Sequence, residues 1–314
     1  GEGEGEGEGE GEGEGEGEGE GEGEGEGELT FAIGFVSWTL VDASRSDREI
    51  PVTLYYPASE AGENAPVAAA GGPFPLLVFG HGFQIGIDKY NYLWQGLVPR
   101  GYVFALPATE GGLLPNHGRF GEDIGFVVDA LLAEGQDPAS AFFGRIAPAS
   151  AVMGHSMGGG AALLATGESA SISAIALLAP ANTNPSAIDA AGATSLPGLI
   201  LAGAKDNVTP IAQHQQPMFD ALLSDCKYLA AITEASHCQF AQDAGLCEAG
   251  EFFVCPFCSF VDDAVQKGVT LELLTYWLDY TLGGAAPSLT ALDTALAGYT
   301  DDNTLTWSGG CAGP

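Results

Sequence analysis

Ser156 stands between Gly154-His155 and Met157-Gly158, with a short apolar run at 149–153 before it and the helix-forming Ala161-Ala162-Leu163-Leu164-Ala165 after it. A serine carried on a sharp strand-to-helix turn takes strained backbone angles, so the residues two before and two after must be glycine-sized for the chain to pass. Gly154 and Gly158 meet that requirement, which makes Ser156 a candidate nucleophile. The same pattern also describes a glycine-rich turn with an incidental serine. A base and an acid supplied from elsewhere in the chain decide between the two readings.

The elements that would supply them alternate. Residues 35–41 and 49–56 are β-prone runs split by a polar stretch, which predicts an antiparallel hairpin at a sheet edge. Residues 57–72 read as a loop of small residues. Residues 76–79 form a continuous apolar run closed by Gly80-His81-Gly82, as expected of a buried parallel strand leading into a loop. A helix over 90–98, a strand over 102–106 and a helix over 122–134 follow. Beyond Ser156, strands are expected at 174–178 and 199–203, a helix at 210–223, a last strand at 227–233 and a helix near 270–282. The residues after 282 show no pattern and read as an uninformative tail ending near Cys311. This order predicts an α/β fold: a mostly parallel twisted sheet with an N-terminal antiparallel hairpin and helices on both faces. The short span between the strands at 174 and 199 leaves no room for a cap domain.

Sites in such sheets form at the carboxyl ends of strands. Asp206 follows the strand at 199–203 and His237 follows the one at 227–233, giving the order Ser, Asp, His that this architecture uses. Asp189 is the rival acid, and His214, His117, His81 and His155 are the rival histidines. Three strand ends each carrying the required residue type favour Ser156, Asp206 and His237. In that arrangement His237 takes the proton of Ser156 as it attacks an ester carbonyl, Asp206 sets the imidazole tautomer, and His237 later protonates the leaving alkoxide. The oxyanion needs two backbone donors, which the N–H groups of Met157, at a helix start, and Phe83, after Gly80-His81-Gly82, can supply.

Leu77 to Phe83, Gly154-His155-Ser156-Met157-Gly158-Gly159, Asp206 and His237 together resemble the α/β-hydrolase superfamily. The resemblance is to its capless branch of chlorophyllase-like, platelet-activating-factor-acetylhydrolase-like, dienelactone-hydrolase-like and polyester-hydrolase (cutinase or PETase-like) enzymes. It spans roughly residues 35–282. It implies a serine carboxylic-ester hydrolase that uses no cofactor and no metal, acting on small-molecule or polymeric esters such as PET or cutin-like polymers. Ser156-Met157-Gly158-Gly159-Gly160 and the aromatic Phe83 match the polyester hydrolases. The segment Ala181-Asn182-Thr183-Asn184-Pro185 lacks the tryptophan those enzymes place there, and Ser156 replaces the cysteine of dienelactone hydrolases. The alternatives are an esterase or lipase on small or phospholipid esters and a catalytically silent hydrolase fold used for binding.

Composition narrows the partners. Residues 1–28 are fourteen Gly-Glu repeats with no apolar side chain, expected to be disordered and set aside as a tag or placeholder. Fourteen of the 42 acids lie there, leaving 28 against 9 Lys and Arg, a balance of −19 over 29–314, read as a single domain. Nucleic acid and anionic membranes, which need basic patches, are excluded as partners. No apolar stretch reaches the roughly 18 residues of a membrane span, and a monomer is expected. The six cysteines, Cys226, Cys238, Cys247, Cys255, Cys258 and Cys311, crowd the last third of the chain. Their even number favours disulfides and a secreted or periplasmic location. A zinc set of Cys238, Cys247, Cys255 and Cys258, or a redox pair at Cys255-Pro256-Phe257-Cys258, is the alternative, and six cysteines allow fifteen pairings. The Cys- and Phe-rich loop at 238–260 is expected either to wall a substrate pocket, with Phe83, Gln84, Phe240, Phe252 and Phe253, or to form a stapled mini-core that steadies His237.

Overall fold

Side chains of the central strands are buried on both faces, and their alternation builds two cores. In β4 (Phe74–Gly80), Leu76 and Val78 enter one core while Leu77 and Phe79 enter the other. The computed structural model describes residues 30–311, so the Gly-Glu repeat lies outside the described residues. These form a ten-stranded sheet from β1 (Ala32–Asp42), β2 (Arg48–Ala58), β3 (Gly62–Glu63), β4, β5 (Val103–Pro107), β6 (Ile146–His155), β7 (Ala174–Leu178), β8 (Gly198–Gly203), β9 (Cys226–Ile232) and β10 (Leu305–Cys311). Its order is β10-β9-β8-β7-β6-β4-β5-β2-β1-β3.

Strands β4 to β9 pair in parallel, and β1 and β2 form the antiparallel hairpin. The hairpin joins the sheet through β2 against β5. One face is covered by α2 (His117–Glu134), α3 (Met157–Ala165), α4 (Ala187–Ala191) and α5 (Gln215–Ala221), through Phe120, Val127, Leu163, Ala187 and Met218. The other is covered by α1 (Asn91–Leu97), α7 (Asp263–Thr281) and α8 (Ala286–Asp301), through Leu93, Leu273 and Leu292. Trp277 of α7 is fully buried and donates its indole N–H to the Ile175 carbonyl, 3.0 Å away. Strand order reverses at β4: β5 lies on one side of it and β6 on the other, all three parallel. Loops leaving a sheet at such a point splay apart and open a crevice.

Three expectations need correction. The residues after 282 are no uninformative tail: α8 buries Leu289, Leu292 and Leu296 at helical spacing, and β10 adds an antiparallel edge strand to β9. Small residues between the leucines dilute the helical period, and β10 is glycine-rich, so each is specified by its partner more than by its own sequence. The helix expected over 210–223 shortens to α5, with Gln213 and His214 bonding back to Pro210 as turns. The loop at 238–260 contains a 3₁₀ turn at Cys238–Phe240 and a helix, α6 (Leu246–Val254).

The cysteines pair as Cys226–Cys311, Cys238–Cys247 and Cys255–Cys258, leaving no free thiol for zinc among the described residues. The first joins directly opposed residues of β9 and β10, clamping the C-terminal strand to the sheet. No helix among the described residues is long and apolar enough to cross a membrane.

At the hairpin, Asp123 of α2 is fully buried and pairs with Arg45 at 2.8 Å and Arg48 at 2.5 Å. The bonds it donates to Asp123 hold the Arg48 guanidinium above its ordinary value against the opposing effect of burial. A buried ion left without its partner is far costlier than the pair is favourable. Replacing Arg45 and Arg48 together by Met should cost about 3–5 kcal/mol in urea unfolding. Adding Asp123→Leu to that background should restore a measurable part.

Candidate active site

Ser156 follows β6 directly and caps α3 with φ 55° and ψ −120°, a left-handed backbone that a non-glycine residue adopts only under constraint. The constraint is close packing. A Cβ at Gly154 would fall on the Gly158 carbonyl, and one at Gly158 on the Gly80 carbonyl at the end of β4. The Ser156 N–H donates to Leu178 O of β7 at 3.0 Å, and its own carbonyl accepts from Gly160 and Ala181. The turn is thus pinned by the strands on both sides.

Three strand ends converge here. His237, beyond β9, points Nε2 at Ser156 Oγ over 2.8 Å and Nδ1 at Asp206 Oδ2, beyond β8, over 2.7 Å. All three are buried, at 8% exposure for Ser156, 6% for Asp206 and 1% for His237. Asp206 Oδ1 accepts the N–H groups of Val208 at 2.8 Å and Thr209 at 2.7 Å, and Oδ2 also accepts the Thr209 hydroxyl at 2.7 Å. Burial alone would raise the Asp206 carboxyl, but bonding to His237, its charge, and the Thr209 donors hold it below the usual carboxylate range. An ionised Asp206 requires Nδ1 of His237 to carry the proton, which leaves Nε2 free to accept one from Ser156.

The loop after β4 faces this group. Among the described residues, the N–H groups of Phe83 and Met157 bond to no acceptor. Phe83 is half exposed, at 48%. Gln84 adopts φ 56° and reaches back to donate to Gly111 O at 2.7 Å, so its side chain braces the loop. Beneath the loop runs a buried relay: Gly82 N–H donates to Tyr90 Oη at 2.8 Å, and Tyr90 Oη lies 3.0 Å from His155 Nδ1. His155 Nε2 in turn lies 3.0 Å from the His237 carbonyl. Since a carbonyl only accepts, Nε2 of His155 carries its proton and Nδ1 accepts the Tyr90 hydroxyl. The residue beside Ser156 thereby ties the Phe83 loop to the backbone of His237.

That backbone is held from two further sides. Gln266 of α7 brackets Ser236, accepting its N–H and donating to its carbonyl, both at 3.0 Å. Glu251 of α6 accepts the His237 N–H at 2.6 Å. The rival residues lie elsewhere. Asp189 is exposed on α4, His214 accepts from Asn182, His117 accepts from Asn184, and both ring nitrogens of His81 face the carbonyls of Gly82 and Thr109. Phe240 is fully buried with its ring 6.0 Å from that of His155. It belongs to the core under the site. Phe252 and Phe253 face solvent from α6.

No sequence pattern singles out Thr209, Tyr90, Gln266 or Glu251. Thr209 has only a local signal, since an Asp three residues before a Thr reads as a capping turn. The others approach from segments 8 to 65 residues away in sequence from the groups they bond.

Residues 52–268 match a family model described as PET hydrolase-like (PETase). The chain is 27% identical over 213 residues to a bis(hydroxyethyl) terephthalate hydrolase of Streptomyces coelicolor, covering 67% of this chain and 62% of that relative.

Burial and the neighbouring His237 push the His155 imidazole well below its ordinary 6.5, with Asp206 opposing. The unfolded chain therefore takes up a proton below about pH 6.5 that the folded chain refuses, so this contribution to stability is full above that pH and falls as pH drops. Denaturant titrations between pH 5 and 7 should show stability falling by up to about 1.4 kcal/mol per pH unit from this group. The fall should be shallower in His155→Gln.

Proposed function

The chain belongs to the PET hydrolase-like family, and from that premise we propose that it is a serine carboxylic-ester hydrolase working through an acyl-enzyme on Ser156. The observation that carries the reading is the imidazole of His237 set between Ser156 Oγ at 2.8 Å and Asp206 Oδ2 at 2.7 Å. His237 takes the Ser156 proton through Nε2 as Oγ attacks the ester carbonyl, and Asp206 stabilises the imidazolium that forms. The tetrahedral oxyanion accepts from the N–H groups of Phe83 and Met157, and α3, beginning at Met157, adds the favourable end of its dipole. His237 then protonates the departing alkoxide. A water activated by the same imidazole releases the acid and returns the proton to Ser156.

The substrate class we propose is an ester of an aromatic diacid, as a small hydroxyalkyl ester or an aromatic polyester such as PET, with cutin-like esters next. Support comes from the hydroxyethyl terephthalate ester in the relative's name, from half-exposed Phe83 beside the proposed oxyanion donors, and from exposed Phe252, Phe253 and Phe257 on and after α6. Three disulfides support an oxidising, extracellular setting.

The test is acid release from p-nitrophenyl esters of acetyl to long-chain acids, bis(hydroxyethyl) terephthalate and an aromatic polyester film. Wild type should act on the terephthalate ester, and Ser156→Ala should lose at least about 10⁴-fold in kcat. Equal rates for the two proteins would overturn the reading. Phe252→Ala and Phe253→Ala should reduce kcat/KM most for aromatic and long-chain esters. Proportional losses on every ester would remove α6 from the substrate surface.

A further inference from the structure

Glu251 is a second buried carboxylate beside His237, outside the Ser-Asp-His arrangement. It is 5% exposed, and its Oε1 accepts the His237 N–H at 2.6 Å. It projects from α6, in the segment that the Cys238–Cys247 and Cys255–Cys258 disulfides tie down. Cys238 is the residue after His237, and Cys255 donates its N–H to the carbonyl of Glu251 itself. The short 3₁₀ turn that opens at Cys238 leaves unpaired N–H groups at its start, which a carboxylate satisfies. A neutral side chain would also do so, at far lower desolvation cost. A charge in this position therefore calls for a reason beyond capping.

The reason lies in the charge that His237 acquires. In the ester hydrolysis proposed above, on which this inference rests, the imidazole becomes a cation twice per turnover, at 1% exposure where water cannot screen it. We propose that Glu251 is a positioning residue for catalysis: it pins the His237 main chain while Asp206 holds the ring, and its negative charge stabilises the imidazolium. The disulfide-braced segment after β9 then serves to deliver this carboxylate. Burial pushes the Glu251 carboxyl up, while donors from His237, Ser236 and Cys238 and the His237 charge pull it back. Other ionisable groups are near. Asp243, Glu248, Asp263 and Lys267 line a cavity of about 550 Å³ together with Glu251. On the other side His237 meets Asp206 and His155, with His214 further off. Of these, Asp206 and Glu251 are the carboxylates hydrogen-bonded to His237.

The decisive variant is Glu251→Gln, which keeps the shape and an acceptor oxygen but removes the charge. NMR titration of the His237 ring reads the effect without relying on activity. The midpoint should fall by at least about half a pH unit, because loss of a nearby negative charge disfavours the imidazolium. The acidic limb of kcat/KM on p-nitrophenyl acetate should move to lower pH by the same amount. Glu251→Asp retains the charge while withdrawing the carboxylate from the N–H. It should hold the midpoint close to wild type and lower kcat several-fold, and it serves as the test if Glu251→Gln does not fold. An unchanged midpoint in folded Glu251→Gln, or a midpoint in Glu251→Asp lowered as far as half a unit, would reduce Glu251 to a structural brace and overturn the proposal. Absence of esterase activity in wild type would instead overturn the hydrolase reading, and with it the catalytic role given to Glu251.

Discussion

Backbone meets backbone at Gly80, Gly154 and Gly158, and this contact sets the spacing of everything around Ser156. Carbonyls of Gly80 and Gly158 occupy the space where side chains would stand at Gly158 and Gly154. Without those side chains, β4, β6 and α3 approach closely enough to force Ser156 into its left-handed turn. The strain is tolerated because the neighbouring strands over-determine the turn: β7 accepts its N–H, and Gly160 and Ala181 donate to its carbonyl. The same approach sets the loop carrying Phe83 beside the start of α3, since that loop leaves β4 within three residues of Gly80.

Around this packed centre lies a buried polar network that water would otherwise have to satisfy. Asp206 accepts from Val208, Thr209 and His237, and His155 accepts from Tyr90 and donates to the His237 carbonyl. The Asp206 carboxylate and the His237 carbonyl can only accept, which sets the tautomers of His237 and His155. Half-satisfied networks are costly in a low-dielectric interior, and a fully satisfied one is specific. Here the specificity falls on His237. Its ring is held by Asp206, its N–H by Glu251, its carbonyl by His155, and the preceding residue by Gln266.

Particular elements show how far local sequence reaches. β4 and β7 announce themselves as unbroken apolar runs because both faces of a parallel strand are covered, and the elbow announces itself through glycines that no other residue can replace. β10 does not, since an exposed, glycine-rich edge strand draws its pairing from β9 and its clamp from Cys226. The segment at 238–260 mixes cysteine and phenylalanine in a way that fits either a pocket wall or a stapled mini-core beside His237. Its fold divides them, with Phe240 in the core, Phe252 and Phe253 exposed on α6, and Glu251 turned inward to His237.

From the sequence alone came the chemistry-bearing types and their order: a glycine-flanked serine, then an acid, then a histidine, each just past an apolar strand. Those features are local, because glycine tolerance and strand hydrophobicity act within a few residues. Tertiary structure decided which neighbours complete the arrangement. Tyr90, Gln266 and Glu251 lie where no sequence pattern marks them, and they matter through hydrogen bonds to residues 8 to 65 positions away in the chain. Such bonds have no period and no spacing. They exist only once the sheet has brought its strand ends together.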